Sequence, residues 1–179
     1  MKLSIIIPMY NEQESLDALF MELSGLFSQE AKTEIIFIND GSSDNTLSIL
    51  ESKIKNYPSW KVINLYRNYG KSVALQAGFD NSKGEIIATM DADLQDNPKE
   101  IYNLIKELEK GYDVVSGWKK NRKDPLEKKI ASKIFNFFVR VFSGLKIHDS
   151  NCGIKVFKRE VTEMLTLYGG RHRYIPLLA

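Results

Sequence analysis

The chain has 179 residues, 43% of them hydrophobic and 27% charged, which bounds it as one ordinary globular domain with room for a real core. A net charge of +2 gives no sign of a nucleic-acid partner, and no run approaches the ~18 apolar residues of a membrane span. The single cysteine, Cys152, allows no internal disulfide, so nothing points to an oxidising compartment.

Residues 3–7, stopped by Pro8 and without a small-residue cleavage site, are expected to be a buried strand and not a signal peptide. Asn11 is the expected N-cap of the first helix, with Glu14 at capping-box spacing. Leu16, Leu19, Phe20, Leu23, Leu26 and Phe27 then recur at helical intervals and form one apolar face. A second strand covers 34–39, and the turn 40–46 leads into a helix whose inner face holds Leu47, Leu50 and Ile54. The third strand is expected over 60–66, followed by a loop and a helix of small residues, Val73, Ala74, Ala77 and Gly78.

Residues 86–90 form a short apolar run without polar alternation, the mark of a strand covered on both faces. Asp91, Asp93 and Asp96 follow at once. Side chains at i and i+2 of an extended chain share a side, so Asp91 and Asp93 converge. Carboxylates so close repel unless a cation lies between them, and a hard divalent ion accepts one or two carboxylates plus substrate phosphates. An acidic surface turn is the plain alternative, but the carboxyl end of a buried strand is where open α/β sheets bind ligands. Asn97-Pro98 then opens a helix with Ile101, Leu104, Ile105 and Leu108 inward, ended by Gly111, and 112–116 is a fifth strand.

Strands alternating with helices imply βαβ units, hence an α/β fold with an open, Rossmann-like, mostly parallel sheet flanked by helices. Beyond Gly117 the character changes. Residues 118–146 carry nine Lys or Arg against two acids, a local +7 that leaves the remainder at −5. Residues 118–129 read as a basic loop and 130–145 as a greasy helix, divided evenly between core packing and a membrane-surface role. A last strand is expected over 154–157 and a helix over 159–167. The apolar final residues, without cap or polar tail, read as a cut chain.

Four stretches sit at the ends of expected strands: Pro8-Met9-Tyr10-Asn11-Glu12, Asn39-Asp40-Gly41-Ser42-Ser43-Asp44-Asn45-Thr46, Arg67-Asn68-Tyr69-Gly70-Lys71 and Asp91-Ala92-Asp93-Leu94-Gln95. In this order and spacing the chain resembles the family 2 glycosyltransferases of GT-A fold, in their polyprenyl-phosphate (dolichyl-phosphate sugar synthase-like) branch. Asp149-Ser150-Asn151-Cys152-Gly153-Ile154-Lys155 and His172-Arg173-Tyr174-Ile175-Pro176 are similar to later segments of that family.

The resemblance implies a single GT-A catalytic domain over 1–179, with a nucleotide-sugar part at 1–117 and an acceptor- and membrane-facing part at 118–179. Pro8, Tyr10, Glu12, Ile38 and Asp40 would line the nucleoside pocket, with Lys71, Asp91, Ala92 and Asp93 completing the nucleotide-sugar site. Asp91, Asp93 and Gln95 would hold Mg²⁺ or Mn²⁺. The implied reaction moves a sugar, with inversion, from a UDP- or GDP-linked donor to a polyprenyl phosphate at the cytoplasmic face of a membrane. Lys119, Lys128 and Ser132 are the candidates for the acceptor phosphate, and Asp93 and Asp149 the catalytic candidates, Asp149 as a base. A phosphate monoester with a second pKa of about 6 is already largely ionised and needs cations more than a base. Where the family often has Gly-x-Arg, this chain has Gly117-Trp118-Lys119, and Lys155 stands where Arg is common.

Two other readings stay open: a saccharide hydroxyl as acceptor, and a non-catalytic nucleotide-sugar-binding module. Leu94-Gln95 do not suit a haloacid-dehalogenase-type phosphotransferase, and the chain has neither a dinucleotide fingerprint nor a P-loop.

Overall fold

The computed structural model describes residues 2–118 and 152–178. The apolar runs become the central strands of one sheet: β1 (Leu3–Met9), β2 (Thr33–Asn39), β3 (Trp60–Asn64) and β4 (Ile86–Thr89), with β5 (Val114–Ser116) and β6 (Lys155–Lys158) at one side. The spatial order is β3-β2-β1-β4-β6-β5. β1 pairs in parallel with β2 and β4, and β2 with β3; β6 runs antiparallel to both β4 and β5.

Period-2 alternation sends successive residues of each buried strand to opposite faces. Ile5, Ile7, Ile35, Phe37, Ala88 and Val156 join the core beneath α1 (Leu16–Phe27), α2 (Thr46–Lys53) and α4 (Glu100–Leu108). Ile6, Ile36, Ile38, Ile87 and Phe157 face α3 (Lys71–Asn81) and α5 (Arg159–Met164). Continuous apolar runs therefore mean burial on both faces, as the sequence implies. Phe20 stacks on Phe37 with ring centroids 5.0 Å apart, and Trp60 closes on both rings. The small residues of α3 let it approach the sheet; a Cβ on Gly78 would run into the Ile6 side chain.

Two expectations need correction, and one strand pairing is not foreshadowed in the sequence. Asn11 is not an N-cap: it takes φ 56°, and the first helix starts only at Leu16, behind Ser15. Its Oδ1 accepts the Ser43 N–H at 2.9 Å and its own N–H donates to Ser42 Oγ at 2.9 Å, so it joins two loops. Asparagine tolerates that left-handed region better than most residues. The third strand ends at Asn64, short of Tyr66, whose ring is 94% exposed. And β6, from far down the chain, lies between β4 and β5, which do not pair with each other.

The chain winds outward from β1 through β2 to β3, then returns to place β4 on the other side of β1. That reversal opens a crevice at the carboxyl ends of β1 and β4, the place where doubly wound sheets take ligands.

Candidate active site

Loops following β1, β2, β3 and β4 surround a cleft of ≈ 280 Å³ at this crevice. Pro8, Tyr10, Glu12, Asp40, Lys71, Asp91, Ala92 and Asp93 all line it, together with Asn68, Gly70 and Ala74. Eight of the nine residues assigned to nucleotide-sugar binding are thus brought together, from segments up to eighty residues apart. The exception is Ile38, fully buried in the core on the α3 side.

The nucleoside side of the cleft is a set of loops tied to one another. Asp44 Oδ1 accepts the Thr46 N–H at 2.9 Å and its Oδ2 accepts the Gln13 N–H at 3.3 Å. Asp40, buried at the cleft wall, has a structural duty: its two carboxylate oxygens accept the N–H groups of Tyr69 and Gly70, each at 2.8 Å. Those bonds fix the loop that opens α3. Each carboxylate oxygen keeps a further lone pair for a ligand. Gly41, at φ 65°, has the Arg67 backbone against it, leaving no room for a side chain. Arg67 in turn lies over the Tyr69 ring, 5.0 Å from its centroid.

The opposite wall is acidic. Asp91 leaves β4 with its carboxylate paired to the Lys71 ammonium. Behind it the backbone of Gly153 comes so close that a Cβ there would sit 2.5 Å from Asp91 Cγ. Thr89 Oγ1 holds that segment by donating to the Gly153 carbonyl at 2.9 Å. Asp93 is exposed, and its Oδ1 accepts the Gln95 N–H at 3.1 Å, closing a turn around Leu94, which takes φ 59°. A leucine in that region is strained, and such strain clusters at ligand sites. Burial raises the Glu12 carboxyl above its ordinary value, and the negative charges of Asp93, Asp91 and Asp44 push the same way, against the Ser15 hydroxyl. Four carboxylates, Glu12, Asp40, Asp91 and Asp93, therefore line one cleft with the Lys71 ammonium paired to Asp91, a donor set suited to a hard divalent cation. Among the described residues no group of three ligating side chains is arranged to cage an ion alone.

Gln95, assigned to the metal set, lines two neighbouring cavities instead of this cleft. Lys155 is buried, and its ammonium donates to the Cys152 carbonyl. Asp149, Lys119, Lys128, Ser132 and the helix expected over 130–145 lie outside the described residues. Sequence reasoning missed the Gly153 contact, although it quoted the motif, and missed Asn68, Gly70 and Ala74 as lining residues.

A curated relative, dodecaprenyl-phosphate galacturonate synthase of Rhizobium johnstonii, is 36% identical over 98% of this chain and 53% of its own length. Undecaprenyl-phosphate 4-deoxy-4-formamido-L-arabinose transferase of Serratia proteamaculans is 39% identical over 99% of this chain and 55% of its own. The chain thus spans about half the length of the curated relatives it matches. Among solved structures, glucosyl-3-phosphoglycerate synthase of Mycobacterium tuberculosis with Mn²⁺, uridine diphosphate and phosphoglyceric acid superposes at TM-score 0.79. That match covers 98% of this chain and 63% of that one at 16% identity. A Pyrobaculum calidifontis mannosyltransferase in complex with GDP-mannose and Mn²⁺ gives 0.69 at 20% identity, covering 94% of this chain and 47% of that one. These likenesses establish the GT-A architecture of the sheet. The family model described as glycosyl transferase family 2 matches residues 4–166, and the chain belongs to that family.

Proposed function

We propose that this chain is the catalytic domain of an enzyme that moves a sugar, with inversion, from a UDP- or GDP-linked donor to a polyprenyl phosphate. The observation that carries the donor half is the meeting of Asp91, Asp93 and Glu12 at the switch point, with the Glu12 carboxyl pushed up by burial first and by its acidic neighbours second. The acceptor half is supported by two relatives whose names each specify a polyprenyl phosphate.

Asp91 and Asp93 would hold Mg²⁺ or Mn²⁺, which supplies positive charge to the diphosphate as it leaves. The chain's own residues do the rest. Asp40 fixes the loop carrying Asn68, Tyr69 and Gly70 and offers its free lone pairs to base N–H groups. Tyr10, 45% exposed at the cleft, presents a ring face on which a base can stack. Gly153 and Thr89 keep Asp91 aimed into the cleft. A phosphate oxygen of the acceptor forms a bond to the anomeric carbon on the face opposite the donor. The bond from that carbon to the diphosphate oxygen breaks, and the nucleoside diphosphate departs with the electron pair. An acceptor already ionised needs no proton removed, so Asp149 is kept as a base only for a hydroxyl acceptor.

A lipid acceptor puts the working enzyme at a membrane surface, on the cytoplasmic side. No helix among the described residues is long and apolar enough to cross a membrane. Thermal-shift assays with UDP- and GDP-sugars, each with and without Mn²⁺, test the donor site. Transfer is then assayed from the stabilising donor to a short polyprenyl phosphate and to a free sugar. Metal-dependent stabilisation with release of nucleoside diphosphate only with the lipid phosphate is expected. Stabilisation without turnover, in the full-length enzyme, would leave a binding module.

A further inference from the structure

Four consecutive residues around the start of α3 tie it to three separate parts of the chain. Tyr69 and Gly70 donate their N–H groups to Asp40, beyond β2. The Lys71 ammonium pairs with Asp91, beyond β4. Ser72 Oγ accepts the His172 N–H at 3.0 Å and lies 2.9 Å from the His172 Nδ1. The Lys71–Asp91 pair differs, because the function proposed above asks the same carboxylate to take a divalent cation.

We propose that Lys71 is the resident counter-ion of the site. It neutralises Asp91 while no metal is bound, yields that carboxylate to the incoming divalent cation, and then meets the donor's diphosphate. The inference rests on the metal-dependent reading of the cleft and adds how the site is held before loading.

An ammonium and a divalent cation on one carboxylate repel each other, so one of them gives way. Lysine is built to yield: it is a compact charge on a flexible four-carbon stem, without the bidentate fork by which arginine grips a carboxylate. Its side chain is 36% exposed, against 24% for Asp91, so water meets the ammonium as it swings. The backbone on either side is anchored, by Asp40 before it and by the Ser72–His172 contact after it. The exchange is therefore a side-chain movement that leaves α3 in place. The freed ammonium stays in the right neighbourhood, since Gly70 and Lys71 both line the cleft. The first turn of α3 carries no side-chain cap, so its positive end favours the same anion.

The test is a Mn²⁺ titration of nucleotide-free protein followed by electron paramagnetic resonance. Lys71→Met is expected to bind Mn²⁺ about three- to tenfold more tightly than the unmodified chain, because a competing ion pair of this exposure is removed. Lys71→Arg, which keeps the charge, is expected to bind no more tightly than the unmodified chain. With saturating Mn²⁺, Lys71→Met should bind UDP and GDP more weakly. Lys71→Gln repeats the measurement if the methionine variant melts early. Unchanged or weaker Mn²⁺ affinity in both neutral variants overturns the exchange while leaving the metal site standing. Failure of the unmodified chain to bind Mn²⁺, with or without nucleotide, removes the proposed function itself.

Discussion

Each end of the sheet holds a glutamate, Glu34 buried within β2 and Glu12 half-buried in the loop after β1, and the two ends treat it in opposite ways. At the amino end, Glu34 is 4% exposed and fully answered: Ser4 Oγ and the Lys83 N–H each donate to its Oε1 at 2.6 Å, and Lys61 lies 3.2 Å from Oε2. Burial alone would raise its carboxyl, but these donors overcome it and hold the group below the ordinary 4.5. At the carboxyl end, Glu12 has one hydroxyl partner, Ser15, and three acidic neighbours, and its carboxyl is raised. One end spends its polar groups on holding strands together. The other keeps negative charge in reserve, which is useful only if a cation arrives from outside.

Substitutions at the two ends should separate along that line. Glu34→Ala is expected to cost about 3 kcal/mol of stability, because it strands the Lys83 N–H and frees Lys61 beside a buried gap. Chemical denaturation measures this, and nucleotide affinity of the folded variant should be unaltered. Asp93→Asn should do the reverse, leaving the unfolding midpoint in place while weakening metal-dependent nucleotide binding by about a hundredfold in calorimetry. An unfolding shift with intact affinity would make Asp93 structural. Asp40→Ala falls between the two, since its carboxylate both holds a loop and faces the cleft. A loss of about 1–2 kcal/mol is expected, with nucleoside affinity falling and metal preference unchanged.

The smallest effect is on pH dependence, and its signs differ at the two ends. As pH falls, the unfolded chain protonates Glu34 before the folded one does. Its contribution is therefore complete above 4.5 and drains away as pH drops through the lower folded value. Glu12 behaves oppositely. The folded chain protonates first, so stability is gained as pH falls through the raised value, is complete below 4.5, and is lost again as pH rises. Melting series from pH 7 to 3 on Glu12→Gln and Glu34→Gln should differ from the unmodified chain in opposite directions. Saturating Mn²⁺ should erase the Glu12 difference alone.

What the sequence discloses and what it hides follow from the range of the interactions. Buried strands announce themselves locally, through unbroken runs such as Ile5-Ile6-Ile7 and Ile35-Ile36-Phe37-Ile38, and the acids after β4 show themselves by spacing. Asn11 misleads because capping and left-handed turning use the same side chain, and only the Ser42 and Ser43 partners, some thirty residues away, decide between them. Gly153 against Asp91 and Ser72 against His172 join residues sixty to a hundred positions apart, and no local pattern encodes them. Ile38 is a pocket residue only by the resemblance, and its side chain lies in the core on the α3 side.

The insertion of β6 between β4 and β5 has a consequence for a chain emerging from the ribosome. The parallel strands β1 to β4 are complete once residue 89 has left, but β4 then presents a bare edge until residues 155–158 follow. At about 5–20 residues per second that interval lasts some seconds, during which an apolar strand with unpaired backbone invites a neighbour's strand. The same late segment brings Gly153 against Asp91, so the acidic wall takes its final shape in the step that seals the edge. Ribosome-stalled chains ending before and after residue 158 should accordingly differ in solubility and in Mn²⁺ capture together. A nascent chain would thus complete the proposed metal site only when its most aggregation-prone surface has gone.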